Sequence, residues 1–174
     1  MYHPSLEPRT NFTAIQALLK ESNIYLDWPA EKVFEIKPAV SGWSIGYHLH
    51  HLAKAHGSIP KLIERLQSGA LGDESLAPIP EGIQLIRDGI IPRGRQAPEK
   101  VVPPAELTHE VLVRDFGRME NAAQRIEPLL DELHAIPRRF PHFRFGPLTA
   151  LEWLRFMQNH HRHHLGIIKE IEAG

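Results

Sequence analysis

The stretch FMQNHHRHHLGII, residues 156–168, puts four histidines into thirteen positions near the C-terminal end of a 174-residue chain. Its meaning depends on where each side chain points. A helix turns about 100° per residue, so residues three and four apart share a face. On that wheel Trp153, Phe156, Met157, Ile167, Ile168 and Ile171 form an apolar stripe, and Glu152, Arg155, Gln158, Arg162 and Lys169 form the opposite, polar face. His160 and His164 fall close to the axis of the stripe, one turn apart and pointing inward, while His161 and His163 fall at its edges. Two buried imidazoles one turn apart are costly unless both are satisfied. The i, i+4 spacing suits two ligands of one cation. It also suits two core histidines bonded to each other or to water, and only a third ligand would decide between the two.

The rest of the chain reads as helix as well. A first helix is predicted from about Thr10 to Leu26, with Phe12, Ile15, Leu19 and Leu26 on one face and Trp28-Pro29 closing it. A second follows Ser44, a suitable N-cap, and carries Ile45, Leu49, Leu52, Ile59, Ile63 and Leu66 to a stop at Gly69. A third starts near Pro104 or Ala105 and runs to Leu133, with Pro128 expected to kink or split it. The fourth has Pro147 at its start and reaches about Ile171. Between the second and third lies a proline- and glycine-rich connection, residues 69–105, whose only periodic piece is GIQLIRDGI; so long a connection is usually functional or disordered. With no convincing strand, the pattern predicts an all-α chain. It forms one domain over residues 1–174, an antiparallel four-helix bundle with a long connection between helices two and three.

Composition narrows the function. The chain has no cysteine, which excludes disulfides, thiolate metal sites and a cysteine nucleophile. Lys and Arg number 20 against 21 Asp and Glu, a balance that argues against nucleic acid or an anionic membrane as the partner. No apolar run approaches the ~20 residues of a membrane span, and the start, MYHPSLEPRTNFT, lacks the basic and apolar regions of a leader. A soluble, cytoplasmic protein acting on a small molecule is expected. The 12 histidines and 15 prolines stand out.

The second helix offers the missing ligand in GYHLHHLAKAH, residues 46–56. His50 shares a polar face with Lys54, Lys61 and Arg65 and drops out. His48 and His56 lie within the apolar arc and His51 at its edge, so phase alone prefers His48 or His56. Asp115, near the axis of the third helix's stripe, reads either as a partner for a ligand histidine's second N–H or as a fourth ligand. A local bend that lets it reach water is the competing reading. His142, just before the last helix, is a candidate general acid or base, since an imidazole titrates near neutrality. Arg93, Arg95 and Lys100 form a basic cluster suited to a carboxylate, or simply to solvent.

WSIGYHLHHL, residues 43–52, resembles the opening of the second helix in the DinB/YfiT-like superfamily of metal-binding four-helix bundles. GPLTALEWLRFMQNHHRHHLGII, residues 146–168, resembles that superfamily's last helix. In the family a ligand histidine follows the tryptophan by eight residues, which from Trp43 lands on His51; the later ligands match His160 and His164. The glutamine often found three residues after the last ligand is Ile167 here. The resemblance implies a three-histidine site for a divalent metal, and three imidazoles suit Zn²⁺, Ni²⁺ or Fe²⁺. It also implies an enzyme that activates a thiol or a water, either a transferase or isomerase using a low-molecular-weight thiol or a hydrolase. The alternative on the same scaffold is a non-catalytic metal-binding or stress-response protein. It further implies a homodimer, for which Leu151, Leu154 and Leu165, off the last helix's stripe, would supply apolar surface.

Overall fold

The computed structural model describes residues 7–174. The first six positions, part of the stretch read as lacking a leader, lie outside the described residues. The chain is mostly helical, as its periodicity predicts. Helix α1, Pro8–Leu26, starts on a proline and buries Phe12, Ile15 and Leu19. After a single turn, α2 (Ala30–Val33), helix α3 spans Ile45–His56, and the Ser44 hydroxyl accepts from the Tyr47 N–H at its N-terminus. Helix α4 is Ile59–Gln67, α5 is Pro80–Asp88 and α6 is His109–Ala123, capped by Thr108. The last helix, α7, is Ala150–Ala173; Thr149 and Glu152 close its start by a reciprocal capping box. α1 packs on α7, and α3 packs on both α6 and α7.

Three expectations need correcting, and proline accounts for the first. The second helix breaks in two. Pro60 has no N–H for the His56 carbonyl and its ring would clash there, so α3 ends at His56 and α4 restarts with Pro60 in its first turn. Ile59, Ile63 and Leu66 still reach the core. The third helix starts at His109 rather than near 104. From Gln124 to Ala135 it tightens into a 3-10 helix that contains Pro128, the interruption expected of that proline. The loop before the last helix is a hairpin, with β1 (Arg139–His142) antiparallel to β2 (Gly146–Thr149). Pro147 therefore lies in a strand, opposite Pro141, where neither backbone has an N–H to donate. Gly146 takes a φ of 67°, open to glycine at little cost. Asp73 adds a bridge to Arg139 through two backbone bonds of 3.0 and 3.1 Å.

The long connection is built into the fold. It contains α5, which packs on α7 and β2, and a 3-10 turn at Glu99–Val101. A Cβ on Gly82 would stand 2.3 Å from the Phe145 carbonyl oxygen, so α5 meets the hairpin at backbone distance. Leu151, Leu154 and Leu165 are buried within this single chain. They offer no surface for pairing, and the expected homodimer loses that support.

Candidate metal centre

α3 brings His51, and α7 brings His160 and His164, to one point. One ring nitrogen from each lies within 4.8 Å of the other two. His160 Nε2 is 3.0 Å from His164 Nε2 and 3.3 Å from His51 Nε2. Two nitrogens each about 2.0–2.1 Å from one ion stand roughly 3 Å apart, so the spacing suits a shared divalent cation. His51 and His164 are buried and His160 is half-buried. Desolvation holds all three below the ordinary histidine pKa, further lowered for His160 and His164 by neighbouring histidines. They are therefore neutral near pH 7, the form that binds metal.

The opposite nitrogens show how the rings are held. His51 Nδ1 lies 2.9 Å from the Val101 carbonyl oxygen. A carbonyl only accepts, so Nδ1 carries the proton and Nε2 presents a lone pair. His160 Nδ1 is 3.0 Å from His56 Nε2, and His164 Nδ1 is 2.9 Å from His48 Nδ1. His48 Nε2 in turn is 3.0 Å from the Ser41 hydroxyl. If His160 and His164 also carry their protons on Nδ1, each donates backward and His48 passes its Nε2–H to Ser41. All three Nε2 lone pairs then face one another. A single proton on His160 Nε2 could bridge only one of its two neighbours, whereas one cation meets all three lone pairs. The residues present thus fit a divalent metal, and the backing groups are those that fix a ligand's tautomer.

The other candidates lie as follows. His48 and His56 are buried but stand behind the cluster; desolvation lowers His48 to about 3, and His56 Nδ1 is buried without a hydrogen-bond partner among the described residues. His50, expected on a polar face, is only 2% exposed and lies 3.3 Å from the Asp115 carboxylate. The break before α4 explains this. Lys61 and Arg65 do not report on α3's outer face, which α6 covers. Asp115 is therefore neither a metal ligand nor the partner of a proposed one. It bonds His50 and Arg114, which with partial solvation accounts for its position. His161 is fully buried, 2.8 Å from the Ser22 hydroxyl, and Gln158, expected on the polar face, is buried beside Arg155 under α1. Trp153, Phe156 and Met157 belong to the core.

His142 is buried, not solvated. Its Nδ1 accepts the N–H groups of Arg144 and Phe145 at 3.1 and 3.2 Å. Its ring lies between Phe145 and Phe156, and Phe156 stacks on His160 at 5.1 Å. Desolvation, then the Arg144 charge, lowers its pKa to about 4. An accepting Nδ1 leaves the proton on Nε2, so His142 offers a hydrogen-bond donor rather than a base. Both it and the three converging histidines line one open cavity of about 1050 Å³, together with Trp43, Phe140 and residues 91–98 of the connection. Sequence had no means of finding Val101, because a backbone carbonyl carries no residue signature; Ser41 precedes Trp43 by two residues and gave no signal either.

A mostly helical fold with three histidines from two helices converging on the floor of a cavity defines a class of candidate metal-binding proteins. The model of the DinB superfamily matches residues 16–168, and the chain belongs to that superfamily. No curated protein and no solved structure matches it. Among the described residues, no helix is long and apolar enough to cross a membrane.

Proposed function

We propose that this chain is a divalent-metal-dependent enzyme, a single domain on an antiparallel four-helix bundle. In this reading His51, His160 and His164 hold the ion and a small-molecule substrate enters the cavity above it. The observation that carries the reading is the convergence of three Nε2 atoms, each backed at Nδ1 by a separate partner. Zn²⁺, Ni²⁺ and Fe²⁺ all suit imidazole ligands. A bound ion of this kind supplies Lewis acidity that brings a coordinated thiol or water toward a neutral pKa. Three protein ligands leave positions open, the pattern of a catalytic site rather than a structural one.

The cavity lining favours a thiol over water. Among the described residues no Asp or Glu borders it, and His142 presents a proton, so no carboxylate there serves as a base for the nucleophile. A thiol with a pKa near 8.5 needs a small shift to ionise at neutral pH; water needs a far larger one. A low-molecular-weight thiol is accordingly the proposed co-substrate, in a transferase or isomerase reaction. In this reading His142 Nε2–H orients a substrate acceptor group, and Trp43 and Phe156 line the site. Homodimerisation rests on the family resemblance and is checked by sedimentation at micromolar concentration.

The test is elemental analysis of protein made without a histidine tag, followed by metal-binding isotherms and turnover with a panel of thiols. One equivalent of metal is expected, lost in His51→Ala and kept in His50→Ala. Metal retained in His51→Ala but lost in His48→Ala or His56→Ala would overturn the ligand assignment. Protein that takes up no metal even on reconstitution would overturn the function.

A further inference from the structure

Six cationic side chains border the cavity: Lys61, Arg65, Arg93, Arg95, Lys100 and Arg144. Among the described residues no carboxylate borders it, although the chain contains 21 Asp and Glu. The cations come from three separate elements, α4, the connection and the turn of the hairpin. Lys61 and Arg65 lie one helical turn apart, so they share a face. Elsewhere on the molecule cations are commonly neutralised. Arg9, Arg87, Arg114, Arg125, Arg139 and Lys169 each meet a carboxylate at 2.5–2.9 Å. Of the six at the cavity only Arg93 does so, with Glu170 at 2.5 and 2.8 Å. The remaining five have no carboxylate partner among the described residues.

Like charges gathered round a concave, low-dielectric wall focus a positive potential into it. The wall itself is apolar. Phe140, Trp43, Trp153 and Phe156 line it, and Phe143, 72% exposed at the hairpin turn beside Arg144, stands at its border. An apolar cavity of about 1050 Å³ is at the upper end of the small-molecule range, too small and too concave for a polyanion such as nucleic acid. The wall asks for an apolar body and the cations for an acid group.

We propose that the cavity takes an organic anion, a small molecule whose apolar part lies against Trp43, Phe140 and Phe156 and whose carboxylate or phosphate is held by Lys61, Arg65 and Arg144. The inference rests on the metal-dependent reading for the cavity's being the substrate site. The anion contact itself is made by this chain's cations and needs no ion.

Calorimetric titration with 3-phenylpropanoate, phenyl phosphate and the neutral 3-phenylpropanamide tests this, with zinc-loaded and metal-free protein. Each anion should bind about tenfold more tightly than the amide in both forms, the gain expected of one charge-assisted contact. The tighter of the two anions identifies the acid group. The triple variant Lys61→Gln, Arg65→Gln, Arg144→Gln should bind both anions no better than the amide, with the amide's own affinity unchanged as evidence that the cavity is intact. Arg162→Gln, an exposed cation away from the cavity, should behave as wild type. An anion preference that survives the triple variant and disappears with the metal would put the acid group on the ion and overturn the proposal, as would no preference at all. Protein that binds no metal yet keeps an anion preference sensitive to the triple variant would sink the metal-dependent function and support the anion site.

Discussion

Replacing His142 by asparagine separates two things that this side chain does. Its Nδ1 accepts the N–H groups of Arg144 and Phe145 and so fixes the turn between β1 and β2. An asparagine carbonyl oxygen occupies nearly the same place and makes the same kind of turn, but it does not titrate. Desolvation, with the Arg144 charge, holds folded His142 at about 4 against an ordinary value of 6.5. Between those two values the unfolded chain binds a proton that the folded chain does not, so stability falls as pH falls. The contribution is fully present above about pH 6.5 and is lost progressively toward pH 4. At about 1.4 kcal/mol per pH unit the whole span amounts to roughly 3 kcal/mol.

Urea unfolding of metal-free wild type and His142→Asn between about pH 7.5 and pH 5 reads this directly. At the upper end the variant should be less stable by about 1–3 kcal/mol, because the ring's contacts with Phe145, Trp153 and Phe156 are gone. On acidification the gap should close by about 1.4 kcal/mol per pH unit below pH 6.5. Every other histidine titrates alike in both proteins and cancels from the difference. His142→Ala should lie a further ~1 kcal/mol lower than the asparagine variant, since it also leaves two backbone donors without their acceptor. Two parallel stability curves from pH 7.5 to pH 5 would refute the argument, for they would mean that His142 is not held neutral by burial.

Three further outcomes follow from the same geometry. A hundredfold excess of Zn²⁺ or Ni²⁺ over its Kd should stabilise metal-free protein by ~2.7 kcal/mol, visible as a melting midpoint raised by roughly 5–10 °C for a chain of this size; because burial lowers the ligand histidines' pKa, the shift should persist into mild acid and shrink only below the ordinary histidine range, and an unmoved midpoint near pH 7.5 would count against the site. Ser41→Ala removes the acceptor at the far end of the Ser41–His48–His164 chain. It should weaken metal affinity about tenfold without abolishing binding, and an unchanged isotherm would show that the chain does not orient His164. Gly82→Ala places a methyl 2.3 Å from the Phe145 carbonyl, so chemical denaturation should show a loss of about 1–3 kcal/mol; a neutral result would mean that α5 is free to move off the hairpin.

Much of the fold was legible because the apolar residues follow helical periodicity. Ile15 and Leu19, Leu49 and Leu52, Leu112 and Met119, and Ile168 and Ile171 are all buried on the faces their spacing gives. What periodicity missed was set by chain breaks and partners. The stripe of the second helix runs across Pro60 without a gap, yet Pro60 ends α3, and the phase carried across it from Lys61 and Arg65 put His50 on the wrong side. Strands β1 and β2 are four residues each and contain two prolines, too short and too irregular for an alternating pattern to register. Leu151, Leu154 and Leu165 fall off the narrow stripe, but α7 is covered on several sides, by α1, α3, α4 and α5. A helix surrounded in this way buries more than one face.

The ligand nitrogens show why the histidine at the edge of its stripe, rather than those on the axis, completes the cluster. A side chain on the axis of α3 points straight at α7 and meets the backs of its rings: His48 reaches His164 Nδ1 and His56 reaches His160 Nδ1. Those contacts occupy the nitrogens that face away from the shared point, so neither His48 nor His56 also offers an atom at it. His51, rotated toward the cavity, clears that layer and brings Nε2 within 3.3 Å of His160. Its other nitrogen must then find an acceptor on the cavity side. The connection supplies it, through the Val101 carbonyl at 2.9 Å. The same segment lines the cavity through Arg93, Arg95 and Lys100. Residues 69–105 are therefore not padding between two helices. One stretch of chain orients a proposed metal ligand and supplies three of the six cations at the cavity, so a change in its path would alter both together.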